Sequence, residues 1–338
     1  VKKSLGVATA ALALTLPLAA CGASSQAGSG STSNPLAGKT IALVNGDNSD
    51  PFFFSIWAGA QAEAKKKGIN LVEQAPTTYD YTQQVPLFND EVAKQVAGII
   101  LSPDSNTAYK AAYDTAHQAN VPVVDVNTTQ KNQSDNPNVL AFLGSDPVLL
   151  GQLAAKQMEP LVNQNGLVSV INSVAGSVGS QMRGSGFMDT IKQNDPQMKL
   201  LPGQYDLDDI SKANSMARDE IQANPDLKGI YAVDSFTGQG VGNAIKSLGK
   251  AGTVKLVAID AEPQEMQLMK DGVIQALIAQ QPYQMGVQAV DDLVLSIQGK
   301  ASQVQRSVIL GPIAVTPQNM DSPEIKNTVV YAANKPQG

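Results

Sequence analysis

From residue 39 to residue 259, short apolar runs alternate with longer amphipathic stretches, and the alternation restarts about halfway. Thr40-Ile41-Ala42-Leu43-Val44 is continuously apolar and too short for a stable helix, so it reads as a buried strand. The stretch 52–67 reads as a helix, with Asp50 as its N-cap, Pro51 in its first turn and Lys65-Lys66-Lys67-Gly68 at its end. Further strands are expected at 69–73, 98–101 and 121–126, with helices at 82–95 and 106–119 between them. After a strand at 139–143 the same order repeats. Helices are expected at 147–162, 181–194, 211–223 and 238–248, and strands at 167–171, 199–204, 229–233 and 254–259. Strands separated by helices pair in parallel and are covered on both faces, which is why Val96-Ala97-Gly98-Ile99-Ile100-Leu101 carries no polar side. The expected fold class is α/β, with two doubly wound parallel-sheet lobes.

The first residues belong to a different regime. Lys2 and Lys3 precede an apolar segment at 5–18 that is too short to span a bilayer, followed by Leu18-Ala19-Ala20-Cys21. This layout resembles a bacterial lipobox, which implies cleavage before Cys21 and lipidation of its sulfur. Residues 1–20 are therefore set aside as a signal peptide. Residues 21–38, rich in Gly, Ser, Ala and Thr, read as a flexible tether. No later stretch reaches the ~20 apolar residues needed to cross a membrane.

Composition removes several functions. The chain has 30 acidic against 24 basic residues, net −6, which argues against binding nucleic acid. It has one cysteine and one histidine, which leaves no disulfide and nearly excludes His/Cys metal sites and Ser-His or Cys-His catalysis. His117 sits in a helical pattern and reads as a plain helix residue. The loop after the first strand, Asn45-Gly46-Asp47-Asn48-Ser49-Asp50, has one glycine where a dinucleotide fingerprint needs three, and no phosphate-binding Gly-x-x-x-x-Gly-Lys-Ser/Thr occurs. No cofactor is expected, and no metal.

In open parallel sheets, ligands sit beyond the carboxyl ends of the strands. That rule selects the loops at 45–53, 125–128, 173–183, 206–209, 234–235 and 260, each with a carboxylate, amide or hydroxyl. An isolated strand-end Asp is usually a helix cap; six such loops in two halves suggest a shared site.

The residues Ile41-Ala42-Leu43-Val44, Asp50-Pro51-Phe52-Phe53, Gly144-Ser145-Asp146, Arg183-Gly184-Ser185-Gly186-Phe187 and Ala276-Leu277-Ile278-Ala279-Gln280-Gln281-Pro282 together resemble the ribose-binding branch of type I periplasmic solute-binding proteins. The resemblance covers residues 39 to about 317. It implies two lobes joined by a three-strand hinge, the first holding 39–145 plus 281–309 and the second 146–280 plus 310–338. It implies binding by Asp50, Phe52, Phe53, Asn127, Thr128, Gln181, Asp208, Asp234, Asp260 and Gln280, with Gly46 and Ile259 on further contact positions. Asp47 and Arg183 join these as candidates, Arg183 either as a cleft cation or as a helix-side ion pair. A carboxylate or amide can hold two vicinal hydroxyls, and an aromatic face packs on the C–H face of a sugar. Trp57 is expected in the core or at the cleft rim.

The departures from that branch bear on the ligand. Thr128 and Gln181 stand where it places arginines, Ile259 where it places a hinge phenylalanine, and a second-lobe aromatic near Asp208 is missing. Several carboxylates with little positive charge disfavour anions. The expectation is a neutral sugar or polyol, with an amino-sugar-like or cationic molecule as the alternative. The implied partner is an ABC permease in the membrane, fed by a monomer tethered at Cys21; a sensory receptor uses the same clamp. A sugar-responsive regulator would need a helix-turn-helix where the leader stands. A glycosidase with paired carboxylates, such as Asp234 and Asp260, is the enzymatic alternative; binding rather than catalysis is expected.

Overall fold

The computed structural model describes residues 35–105, 107–127 and 137–336. Thr128, in the candidate site, and Cys21, the candidate lipidation residue, lie outside the described residues, as does the leader.

The first sheet follows the order β12-β5-β4-β3-β1-β2 and is parallel throughout. Its strands are β1 (Thr40–Val44), β2 (Asn70–Gln74), β3 (Gly98–Leu101), β4 (Val123–Asn127), β5 (Ala141–Gly144) and β12 (Ser307–Ile309). The helices α1 (Pro51–Lys67), α2 (Tyr81–Ala93), α3 (Lys110–Gln118) and α9 (Pro282–Ile297) cover it. The central strands β1 and β3 are buried along almost their whole length, as their unbroken apolar runs require.

The second sheet follows β13-β11-β10-β9-β6-β7, with β8 also paired to β6. Its strands are β6 (Gly166–Asn172), β7 (Met198–Leu200), β8 (Gln204–Tyr205), β9 (Leu227–Ala232), β10 (Lys255–Ile259), β11 (Ala276–Ala279) and β13 (Ile313–Val315). All pairs are parallel except β13 on β11. Helices α4 (Pro147–Leu161), α5 (Val178–Asn194), α6 (Ile210–Ala223), α7 (Ser235–Ser247) and α8 (Pro263–Lys270) complete this lobe.

The chain passes between lobes after β5, after β11 and after β12, which makes the three-strand hinge. In both sheets the strand order reverses beside the first strand of the lobe, between β1 and β3 and between β6 and β9. Those reversals open crevices at the carboxyl ends of the strands, the usual seat of ligands in such sheets.

Local signals explain most element ends. Asp50 caps α1 by accepting from the Phe52 amide at 2.7 Å, Pro51 opens the helix, and Gly68 closes it at φ 69°, where a side chain would be strained. The segment expected as one strand at 199–204 is split into β7 and β8, because Pro202-Gly203 interrupts the ladder. Helices α5 and α7 begin three residues before their expected starts, where Ser177 and Asp234 cap them. The last residues were assigned to the second lobe, yet Ala332 and Lys335 reach back to the first, touching Ser55 and Glu73.

Candidate functional site

A cavity of about 670 Å³ lies between the lobes. The first lobe lines it with Tyr79, Asp104 and Asn127, the second with Ser173, Ser177 and Arg183, and Ser145 and Gln280 stand at the crossings. Asp104 lies three residues after β3, Asn127 ends β4 and Ser173 follows β6, so the parallel topology delivers them to one place.

In the first lobe a single buried amide fixes the loops. Gln84 of α2 donates to the carbonyls of Asn45 (2.7 Å) and Ser102 (2.8 Å), and its oxygen accepts from the Asp104 amide at 3.1 Å. The Asp47 carboxylate closes its own turn, accepting from the Ser49 amide at 2.7 Å and the Asp50 amide at 2.9 Å. Phe52 and Phe53 are buried and meet edge to face at 5.5 Å between ring centres. Phe53 lies over Gly46, where a Cβ would sit 2.4 Å from its ring, and Tyr79 stacks on its other side at 6.2 Å. Asn127 holds φ 67° at the end of β4 and reaches Ser102 Oγ at 3.5 Å.

The second lobe presents carboxylates. Asp206 accepts from the Thr237 hydroxyl at 2.7 Å and from the Asp208 amide at 3.0 Å. Asp234 caps α7 by accepting from the Thr237 amide at 2.9 Å. Asp260, at φ 83° and only 7 % exposed, accepts from Gln280 Nε2 at 2.9 Å and from the Tyr331 hydroxyl at 2.7 Å. Glu262 accepts from Gln239 Nε2 at 3.0 Å.

Burial raises these acids, and mutual repulsion adds to it. Burial pushes Asp50 up to about 7, with Asp47 and Asp260 contributing after it. Burial and then Asp50 push Glu262 up to about 8. Burial lifts Asp260 as well, opposed first by the Arg183 charge and then by Gln280 and Tyr331. Asp206 and Asp208 are each pushed up to about 6, by burial first and then by Asp234. Asp104 is pushed up to about 8 by burial, and neither of its oxygens makes a hydrogen bond of normal geometry. Of these groups Asp104 lines the cavity, and a donor-bearing ligand there would relieve it, since a hydrogen bond to a charged acceptor is worth about 1.5–3 kcal/mol. Among the described residues no group of three or more His, Cys, Asp or Glu is arranged to hold a metal ion.

The structure brings together Asp50, Phe52, Asp260 and Gln280, and it places Asn127 and Arg183 on the cavity wall. Three expectations need correction. Gln181 turns back and donates to the Ala175 carbonyl in its own loop, so its amide is committed there. Arg183 has no ion pair on its helix; it donates to the Val233 carbonyl at 3.0 Å and leaves Nε unpaired on the cavity wall. Ile259 is wholly buried in the core of the second lobe and offers the cleft no surface. Trp57 is half-buried under the Lys335 ammonium, 4.9 Å from its ring centre.

Four residues were missed. Asp104 obeys the strand-end rule after β3, and Glu262 carries a visible signal, since Glu262 and Glu265 form a capping box before Pro263. Tyr79 and Tyr331 carry no local signal; Tyr331 stands 71 residues from the carboxylate it holds.

Residues 41–301 match the periplasmic binding protein domain family. The chain is 28% identical over 279 residues to a ribose import binding protein of Salmonella typhimurium, covering 82% of this chain and 92% of that protein. It is 29% identical over 262 residues to a D-allose-binding periplasmic protein of Escherichia coli, covering 75% and 83%. An ABC transporter solute binding protein from Agrobacterium vitis, solved with bound D-fucose, is 32% identical with a TM-score of 0.75, covering 86% of this chain and 100% of that one.

Proposed function

Because the chain belongs to the periplasmic binding protein family, we propose that it takes up a neutral sugar or polyol in its interlobe cleft and delivers it to an ABC permease. The chain is a sugar-binding protein of the transporter class and not an enzyme. Members of the family work outside the cytoplasmic membrane. One observation carries the reading of the ligand: the interlobe cavity is walled by a ring, an acid and an amide of the first lobe, Tyr79, Asp104 and Asn127, and by Ser173, Ser177 and Arg183 of the second. Polar edges and apolar faces alternating on one small molecule are the chemistry of a sugar. The binding role involves Asp47, Asp50, Phe52, Phe53, Asn127, Thr128, Arg183, Asp208, Asp234, Asp260 and Gln280, Asp47 acting through the turn it closes.

The charge balance favours uncharged ligands over acids. Arg183 is the one cation on the cavity wall among the described residues, and it already serves the Val233 carbonyl. A second reading has its own support. The Asp104 carboxyl faces the cavity without a normal hydrogen bond, and an amino group on the ligand would satisfy it.

Thermal unfolding with a panel of pentoses, hexoses, polyols, amino sugars, sugar acids and sugar phosphates tests both readings. Stabilisation by a neutral member supports the first, and stabilisation by amino sugars alone supports the second. Stabilisation by sugar acids or phosphates alone contradicts both. Transport rather than sensing is tested by uptake of the stabilising sugar in cells lacking this chain. Lipidation at Cys21 would hold the protein at the membrane as a monomer; Cys21→Ser should release it into the medium, and retention would refute the anchor.

A further inference from the structure

The C-terminal segment joins the two lobes beside the site. After β13 the chain packs Met320, Ile325 and Val329 into the core, the last two in a wide helical turn at Ile325–Val329. It then reaches the site. The Tyr331 amide donates to the Ala261 carbonyl at 3.1 Å, in the second lobe. Its hydroxyl donates to Asp260 at 2.7 Å and accepts from the Gln280 amide at 3.3 Å, at the crossing that follows β11. Its ring, 3 % exposed, meets Phe52 of the first lobe edge to face at 5.6 Å.

Over the next four residues the chain is fastened to the first lobe. The Ala332 amide donates to Ser55 Oγ on α1 at 2.7 Å. Lys335 pairs with Glu73 on β2 at 3.2 Å and lies over Trp57 of α1. The three hinge crossings are covalent and bend; this fourth bridge is non-covalent and must stretch or detach when the lobes part.

We propose that residues 319–335 form a strap that limits opening of the cleft, with Tyr331 as the positioning residue that sets Asp260 and Gln280 for the ligand. The distal contacts release first, because the Lys335 side chain is 45 % exposed and its pairing is partly screened. Tyr331 is wedged between both lobes and the carboxylate, so lobe movement is transmitted to Asp260. The inference holds for any ligand and stands apart from which sugar is carried.

The test needs no ligand. In the full chain carrying Cys21→Ser, spin labels at Lys110→Cys on α3 and Lys192→Cys on α5 report the interlobe distance. A chain ending at Tyr331 should give a broader distribution shifted to longer distances. Ser55→Ala, which removes the Ala332 acceptor along with the hydroxyl's own bond to the Pro51 carbonyl within α1, should shift it the same way and serves if the shortened chain does not fold. Unchanged distributions overturn the strap. For the positioning role, Tyr331→Phe keeps the ring on Phe52 and removes only the hydroxyl. Carboxyl NMR of Asp260, assigned with Asp260→Asn, should show roughly tenfold tighter proton binding in Tyr331→Phe than in the parent chain. The charged neighbours Arg183, Asp234, Asp50, Glu262 and Glu265 are the same in the parent chain and in Tyr331→Phe. An unmoved titration in Tyr331→Phe overturns the positioning role.

Discussion

In the first lobe, α1 and α9 cross where Gly59 and Gly286 carry no side chain; in the second, α4 and α5 cross at Gly151 and Gly186. The two scaffolds therefore use the same device, helix backbones brought together at paired glycines. Their cleft faces differ. The first lobe packs the rings of Phe52, Phe53 and Tyr79 together, and Tyr79 and Asp104 reach the cavity wall. The second groups Asp206, Asp208, Asp234, Asp260 and Glu262 behind a wall of Ser173, Ser177 and Arg183, with no aromatic ring on that wall among the described residues. Closing an empty cleft would press Asp50 against Asp260 and Glu262, a cost that a ligand's hydroxyl donors remove. Packing is thus shared between the lobes, and the work of recognition is divided.

The largest effects test the shared part. A Cβ on Gly286 would sit 2.1 Å from the Ile56 carbonyl oxygen, and one on Gly151 would sit 2.0 Å from that of Arg183. Gly286→Val and Gly151→Val should each cost about 2–4 kcal/mol in urea unfolding. A cost below about 1 kcal/mol at either position would break the equivalence of the two crossings.

The pH dependence comes next. Asp50 and Glu262 bind their protons more tightly when folded, near 7 and 8, than at their ordinary values of 3.8 and 4.5. Stability of the ligand-free protein is therefore full below about pH 4 with respect to these groups. It is lost as pH rises towards about 8, by up to about 1.4 kcal/mol per pH unit and group. Calorimetric unfolding across this range should show the fall, and Asp50→Asn with Glu262→Gln should make it shallower, the raised Asp104, Asp206 and Asp208 keeping the remainder; a flat profile in the parent chain would contradict the packed acids.

Recognition by the second lobe should outweigh that by Tyr79. Asp260→Ala should weaken binding of the stabilising sugar by about 2 kcal/mol in calorimetric titration. Asp234→Ala should weaken it similarly and also cost about 1 kcal/mol of stability through the lost α7 cap. Tyr79→Ala, which removes the ring stacked on Phe53, should cost only about 0.5–1.5 kcal/mol of affinity. A larger loss at Tyr79 than at Asp260 would invert the division between the lobes.

The fold was largely legible because buried parallel strands leave unbroken apolar runs and their helices carry caps, as at Asp50 and Pro51. The starts of α5 and α7 were misjudged because Gly179, Gly238 and Gly240 blur the helical pattern, although Ser177 and Asp234 mark the caps. The helices after Asp260 were not anticipated as elements. In the site, the strand-end rule reached Asn127, Asp234 and Asp260, because topology alone carries them there. It did not give the direction of a side chain, so Gln181 was placed in the cleft when its amide closes its own loop. Nor did it reach Tyr331, whose position depends on the path of a distant segment.

The most direct measurement is a crystal structure of the protein as purified, or grown with the sugar that most raises its unfolding temperature. The sugar should lie between the lobes, its hydroxyls within hydrogen-bond reach of Asp50 or Asn127 on one side and of Asp234 or Asp260 on the other. A sugar bound by one lobe alone, or seated away from these carboxylates, would contradict the shared grip.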